Sequence, residues 1–311
     1  MWQVTVTGPF IDENLTTCGL SSTDVIIRAG DARFSVHKVI VSDASPVLKE
    51  KIEMEERYKL KNGPPVVCID EDADTTLQLL SFCIPGWLDD PELKDLDAVR
   101  SVLVAVQKYG LWKIERRLTK ILDTTFAEKE PVRVFAIACQ LRLAGTAMLA
   151  ARYTLRLPMP SLIARSIPEW DNLPASQFQV LLRYHYLCGI QASDRKLMYN
   201  SPRWPGAFPN HSAGTGWIWF VCPSEDCPRA KTTYPVRLPD GNGGYRLRQK
   251  NPTQWFEDYK QKCSQLLREQ PCGSVVSRAE LIDEFYERSS HCPRCESTCL
   301  AVVVDGGTGR G

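Results

Sequence analysis

The chain has 311 residues, 43% of them hydrophobic and 24% charged, with a formal net charge of +1. That length favours two or three compact units over one core. The apolar content excludes a largely disordered chain, and the charge balance gives no reason to expect nucleic acid or an acidic substrate. The start, MWQVTVTGPF, has neither a basic segment nor an apolar run and does not read as a signal peptide. The richest apolar stretch, Phe135 to Ala151, carries Arg142 inside it, which argues against a membrane span. An intracellular protein, cytoplasmic or nuclear, with no membrane partner is expected.

Trp2, Val4 and Val6 alternate with polar residues, as in a short strand. Asp24 to Arg28 and Phe34 to Val36 are β-prone runs joined through Gly30-Asp31, a hairpin pattern. Lys38 to Val41 and Ser45 to Ile52 read as short helices, with Ser45 as the N-cap and Pro46 in the first turn. Val66 to Ile69 is a buried-strand candidate after the break at 61–65. Asp74 is placed to cap a helix carrying Leu77, Leu79, Leu80 and Phe82, which stops near Pro85-Gly86. Asp97 is placed to cap the next, with Val99, Leu103, Val106 and Tyr109 on one face and Gly110 as its end. Trp112 to Phe126 completes the run, so strands and helices together give an α+β layout.

Helical patterning continues from Pro131 to Leu157. Four prolines make 158–174 a bent connector, and Ser176 to Gly189 reads as one more helix. Residues 201–216, rich in Pro, Gly and Asn, mark a boundary. Beyond it, Trp255 to about Arg268 places Phe256, Tyr259, Cys263, Leu266 and Leu267 on one side. Ser277 and Glu280 have the spacing of a capping box ahead of a helix directing Leu281, Ile282 and Phe285 inward. Ala301 to Val304 could be a strand, and the glycine-rich end after it reads as a shortened tail.

Ser22 to Ile27, Phe34-Ser35-Val36-His37-Lys38 and Ser45-Pro46-Val47-Leu48 together resemble the opening of a BTB/POZ domain. Asp72-Ala73-Asp74, Phe82 to Gly86 and Ala105 to Gly110 resemble its downstream helices. More loosely, Pro131 to Ala138, Ala150 to Thr154 and the cysteine-rich tail resemble fungal-type BTB proteins with a helical extension. The resemblance implies a BTB/POZ domain over 20–126, a helical extension over 131–190 and a small mixed Cys-containing region over 217–300. It also implies a protein-binding surface and a homodimer. Asp24, His37 and Lys38 fall at the family's dimer interface, with Asp24 and Lys38 where it places a charged pair. The plainer readings are a strand-start aspartate, a solvated lysine and a histidine bonded to nearby backbone. Met54-Glu55-Glu56 fits the apolar-x-Glu step with which some members contact a cullin, so Met54 and Glu56 are partner-contact candidates. The plainer reading is a solvated helix end.

Twelve cysteines are many for a chain expected inside the cell, and seven follow residue 220. Cys222 and Cys227 form a C-x4-C pair and Cys292 and Cys295 a C-x2-C pair, 64 residues apart. Zinc favours four thiolates, so these two pairs could share one structural ion. Reduced thiols in a small core are the alternative. Cys188, His211 and Cys299 are possible substitutes. Cys263 and Cys272 are poor candidates, the first because it lies on an apolar helix face. No nucleophile elbow, phosphate loop, dinucleotide fingerprint or zinc-protease motif is present, so no catalysis is expected. Three functions follow: a self-associating interaction scaffold, a substrate adaptor for a cullin-type ubiquitin ligase, or a nuclear regulator using the Cys-rich tail. The last is weakest, because Arg246, Arg248 and Lys250 form only one short basic patch.

Overall fold

The computed structural model describes residues 5–7, 23–58, 63–83, 93–194, 222, 224–239 and 245–296. The chain divides into two compact units, Met1–Tyr153 with Ile167–Pro174, and Thr154–Ser166 with Ala175–Gly311.

In the first unit β1 (Thr5–Thr7), β2 (Val25–Ala29), β3 (Ala32–Val36) and β4 (Val66–Ile69) form one sheet in the order β1-β3-β2-β4. The β2–β3 hairpin closes with Ala29 opposite Ala32. Gly30 at φ +58° supplies the left-handed backbone that so tight a turn needs. β4 runs parallel to β2, so the chain must cross over between them, and α1 (Lys38–Ala44) and α2 (Pro46–Tyr58) make the crossing. Val25, Ile27, Phe34 and Val36 turn to the buried face, where Leu48 and Ile52 of α2 are also buried.

α3 (Ala73–Cys83), α4 (Leu96–Tyr109) and α5 (Trp112–Ile121) follow. Their starts correct two expected caps. Asp72, not Asp74, receives the Thr75 backbone N–H at 2.8 Å and the Thr75 hydroxyl at 2.8 Å. Asp95, not Asp97, receives the Ala98 N–H at 2.8 Å. Asp95 has extended backbone just outside its helix, and Asp72 likewise precedes the first helical residue, so each carboxylate can reach the orphan amides, whereas one inside the first turn cannot. Asp97 instead meets Arg133 at 2.6 Å. Gly110 ends α4 at φ +68°, as its position suggested.

Ser45 links the crossover helices to α4. Its Oγ accepts the Leu48 N–H at 2.9 Å, capping α2, and donates to the Tyr109 carbonyl at 2.6 Å. Tyr109 in turn donates its hydroxyl to Glu71. Lys108 reaches Glu71 at 2.8 Å and Asp70 at 2.9 Å. Burial and the Glu71 bond push the Tyr109 hydroxyl up to about 12. Burial alone would raise the Glu71 carboxyl, but hydrogen bonds from Lys108 and Tyr109 bring it below its ordinary 4.5.

α5 runs on into a wide turn over Leu122–Phe126, closed by Ala127 N–H to Leu122 O at 2.9 Å. α6 (Pro131–Gln140) is buried on nearly every side. It stops where Arg142 takes φ +57° and Leu143 N–H reaches back to Ala138 O at 2.8 Å, so α7 (Ala144–Thr154) is a separate helix. A short turn at Pro168–Asn172 is pinned by fully buried Glu169, which takes the Arg133 guanidinium at 2.6 and 2.9 Å.

The second unit holds α8 (Met159–Ala164), α9 (Ala175–Ser193), the antiparallel pair β5 (Tyr234–Pro239) and β6 (Tyr245–Lys250), α10 (Gln254–Glu269) and α11 (Ala279–Ser289). α9 and α10 cross at Gly189, where an added Cβ would lie 2.4 Å from the Arg268 carbonyl. Fully buried His185 donates Nε2–H to Leu157 O at 2.9 Å. Cys263, Leu281 and Phe285 form a small core with Tyr259, Leu266 and Val276 around it. The expected capping box does not form. Ser277 turns back to the Gly273 and Ser274 carbonyls, acceptors offered by the short turn just upstream, and Arg278 takes the cap position. Ile282, expected inward, is 40% exposed, because only Leu281 and Phe285 on that helix face the small core.

Two outcomes are expected for the first unit. Ser45→Ala should cost about 2 kcal/mol in denaturant unfolding, since it removes a helix cap and strands a buried carbonyl together. Glu71 is held ionised in the folded state, so its contribution is present above 4.5 and lost as pH falls through its lower folded value. Stability measured against pH should therefore drop on the acid side, and Glu71→Gln should flatten that drop.

Candidate interaction and metal-binding sites

The end of β3 and the start of α1 bring three of the sequence candidates together. Asp24 sits just before β2, and its Oδ1 accepts the Lys38 backbone N–H at 2.6 Å. That amide opens α1 and would otherwise lack a partner. The Lys38 ammonium goes elsewhere: it meets both carboxylate oxygens of Glu56 on α2, at 2.6 and 2.7 Å. Asp24 and Lys38, proposed for a dimer interface, and Glu56, proposed for a partner contact, are thus connected. Half-buried His37 precedes the helix, its carbonyl accepting from Ile40 and Val41 at 3.1 and 3.3 Å.

Three apolar side chains of α1 and α2 are open to water. Val39 is 68% exposed, Met54 50% and Tyr58 77%. Met54 and Tyr58 are four apart on α2 and so share a face. Val39 and Tyr58 were not singled out from sequence. Val39 opens an apolar run with Ile40 and Val41, Tyr58 stands among charged residues, and only the fold reveals that neither is covered.

The second site lies in the second unit. Cys222, Cys227, Cys292 and Cys295 are all buried, with their sulfurs within 4.8 Å of one another. Cys222 and Cys292 are 3.6 Å apart and Cys227 and Cys295 3.7 Å. A disulfide requires about 2.05 Å, so these are four separate sulfurs. Trp255, in the first turn of α10, packs against them. Pro228 O accepts the Gln254 N–H at 2.8 Å, Ala230 N–H donates to Pro252 O at 2.9 Å, and Arg229 donates to Cys222 O. These bonds seat the Cys222–Cys227 turn on the start of α10. The other pair follows α11, with Cys292 N–H on Ser289 O at 3.1 Å.

The four thiols differ in character. Burial opposes ionisation of Cys292, yet the Cys295 and Arg294 backbone amides and the Cys222 and Cys295 thiols aimed at its sulfur bring it down to about 7. Burial pushes Cys227 up to about 11. Burial raises Cys295 further, against the pull of the Trp255 N–H. Four crowded, buried sulfurs cannot all ionise unless a cation shares the space, and such a group could hold a metal ion. Cys188 on α9 is outside the cluster, Cys263 lies in the small apolar core, and Cys272 sits beside Ser274. The His291 ring bonds to Arg288 O. His211 and Cys299 lie outside the described residues, as do 297–311 and the 240–244 link between β5 and β6.

Residues 13–126 match the family model of the BTB/POZ domain. A stretch of 116 residues is 33% identical to TD and POZ domain-containing protein 3 of Mus musculus, covering 37% of this chain and 31% of that protein. The match thus spans about a third of that relative's length. Residues 13–126 are a BTB/POZ domain, and the small mixed sheet with its helices is the α+β fold of that domain. This is a protein-interaction module rather than a catalytic family. No helix among the described residues is long and apolar enough to cross a membrane.

The Asp24 and Lys38 contacts differ in kind, and that is measurable. Asp24→Ala removes the acceptor for a helix-opening amide and should cost about 1 kcal/mol. Lys38→Ala breaks an ion pair whose side chains are 35% and 39% exposed, and should cost no more than about 0.5 kcal/mol. Denaturation midpoints of the two variants would show the order.

Proposed function

We propose that the chain is an interaction scaffold that binds protein partners through its BTB/POZ domain, self-associates as a homodimer and carries no catalysis of its own. The observation that carries this reading is the domain itself, with Val39 of α1 and Met54 and Tyr58 of α2 standing exposed. Exposed apolar side chains and a surface ion pair on the same two helices suit a protein interface, where the apolar groups supply affinity and the charges fix register. An intracellular setting, cytoplasmic or nuclear, fits such a role. The helices after residue 130 and the cysteine-bearing unit fit the fungal type of BTB protein. The four-sulfur cluster fits the same non-catalytic reading as a structural zinc centre, since four protein ligands leave no open position for a substrate.

A second reading, an adaptor for a cullin-type ubiquitin ligase, is favoured by Met54, half exposed two residues from Glu56 on the same helix.

Sedimentation of the full chain across a concentration series tests the first reading. A mass near twice 35.1 kDa is expected, weakened by Val39→Glu. A single-chain mass at every concentration would overturn it. For the second reading, capture of a purified cullin should succeed with the parent chain and fail with Met54→Ala and Glu56→Ala. No capture by any form removes it.

A further inference from the structure

Among the described residues of the second unit, Cys263, Leu281 and Phe285 form one buried group and the four clustered cysteines form another. What meets at the two cysteine-bearing turns is the sulfur quartet and Trp255. The three segments involved come from far apart in the chain: the turn 222–227, the first turn of α10, and the turn 292–295. The first two are joined by backbone hydrogen bonds through Pro228, Ala230 and Pro252. The third reaches them through Cys292, Cys295 and their sulfur neighbours.

A tetrahedral zinc site with Zn–S of about 2.3 Å separates its sulfurs by about 3.8 Å. The two separations of 3.6 and 3.7 Å agree with that edge, and the 4.8 Å limit on the rest leaves room for one ion. Iron–sulfur clusters hold their cysteine sulfurs farther apart, which leaves single ions. Soft thiolates in a closed tetrahedron select zinc among these, and the backbone N–H groups of Arg294 and Cys295, directed at the Cys292 sulfur, offset the negative charge that four thiolates leave on the site.

We propose that Cys222, Cys227, Cys292 and Cys295 bind one Zn2+ and that this ion is the clasp that holds the 222–230 and 292–296 turns to the start of α10. The inference rests on reading the cluster as a metal centre and adds what the ion does. As the ion enters, the thiols that were protonated release their protons to solvent and four Zn–S bonds form. α10 itself stays folded without the ion, because it packs on α9 through Gly189 and Ser264, whose hydroxyl donates to Ser193 O at 2.8 Å. The BTB/POZ domain contains none of the ligands and is indifferent to the metal.

The test uses the full chain. Elemental analysis of reduced, dialysed protein should give about one zinc per chain, retained by Cys188→Ser and lost by Cys292→Ser and by Cys227→Ser. Cobalt(II) added to metal-stripped protein should give the intense visible bands of a tetrahedral tetrathiolate. Peptide-resolved hydrogen exchange should then show faster uptake over 224–230 and 292–296 after chelation, with the middle of α10 and α4 unchanged. Absence of both zinc and the cobalt spectrum would overturn the metal reading and the clasp together. Stoichiometric zinc whose removal leaves exchange at both turns unaltered would overturn the clasp alone. Iron in place of zinc would overturn the choice of ion, and loss of protection throughout α10 would overturn the local character of the clasp.

Discussion

The Ser45 hydroxyl is the contact on which the arrangement of the BTB/POZ domain depends. It has one proton and two lone pairs, and it both donates and accepts within the domain. It accepts from the Leu48 amide, fixing where α2 begins, and donates to the Tyr109 carbonyl, fixing where α4 ends. Pro46 follows at once and stands 3.6 Å from the position of a Cβ on Gly110, so the cap and the reversal after α4 press against each other. A larger residue at 110 would meet both that ring and a backbone at φ +68°. From Tyr109 the chain of contacts continues through Glu71 to Lys108 and Asp70, beside the end of β4. The parallel strand, the crossover helices and α4 are thereby locked to one another by polar groups set around an apolar centre.

Much of this was legible beforehand because it is local. Ser45-Pro46, Gly30-Asp31 and Gly110 each carry a backbone preference that survives in any fold. The hairpin, the start of α2 and the end of α4 therefore follow from short stretches of sequence. The aspartate caps were less legible. Asp72 and Asp74, or Asp95 and Asp97, are equivalent in composition and differ only in which one stands outside the helix, a choice that depends on where the preceding chain enters. Ser277 shows the same limit from the other side. Its spacing to Glu280 satisfies a capping box, but the carbonyls of Gly273 and Ser274 compete for its hydroxyl. Exposure was least legible of all. Nothing local separates Ile282, which faces water, from Leu281, which does not.

The candidate sites divide along the same line. The cysteine spacing identified two pairs, and the structure brings them together, but only tertiary packing could place 64 intervening residues so that the ends meet. Trp255 was visible as an ordinary helix aromatic, and nothing in the sequence marked it as the residue lying against the sulfurs. Likewise Asp24 and Lys38 were recognisable by position, but the partner of each charge was not. Asp24 spends its carboxylate on a backbone amide, and Lys38 turns to Glu56.

That last exchange bears on how the surface can work. The Asp24 contact belongs to the fold, since losing it leaves a helix-opening amide without a partner. The Lys38–Glu56 pair does not, because an ion pair with both side chains about one-third exposed adds little net stability. Either charge can be given up to an incoming group at small cost to the domain, while Val39, Met54 and Tyr58 gain by leaving water. Under the proposed reading, a partner carrying a carboxylate would take Lys38 and one carrying a cation would take Glu56, without disturbing the amide that Asp24 secures. In the proposed interface a fixed backbone would thus meet exchangeable charges, and discrimination among partners would fall to the exposed apolar groups and to the sign of the charge that arrives.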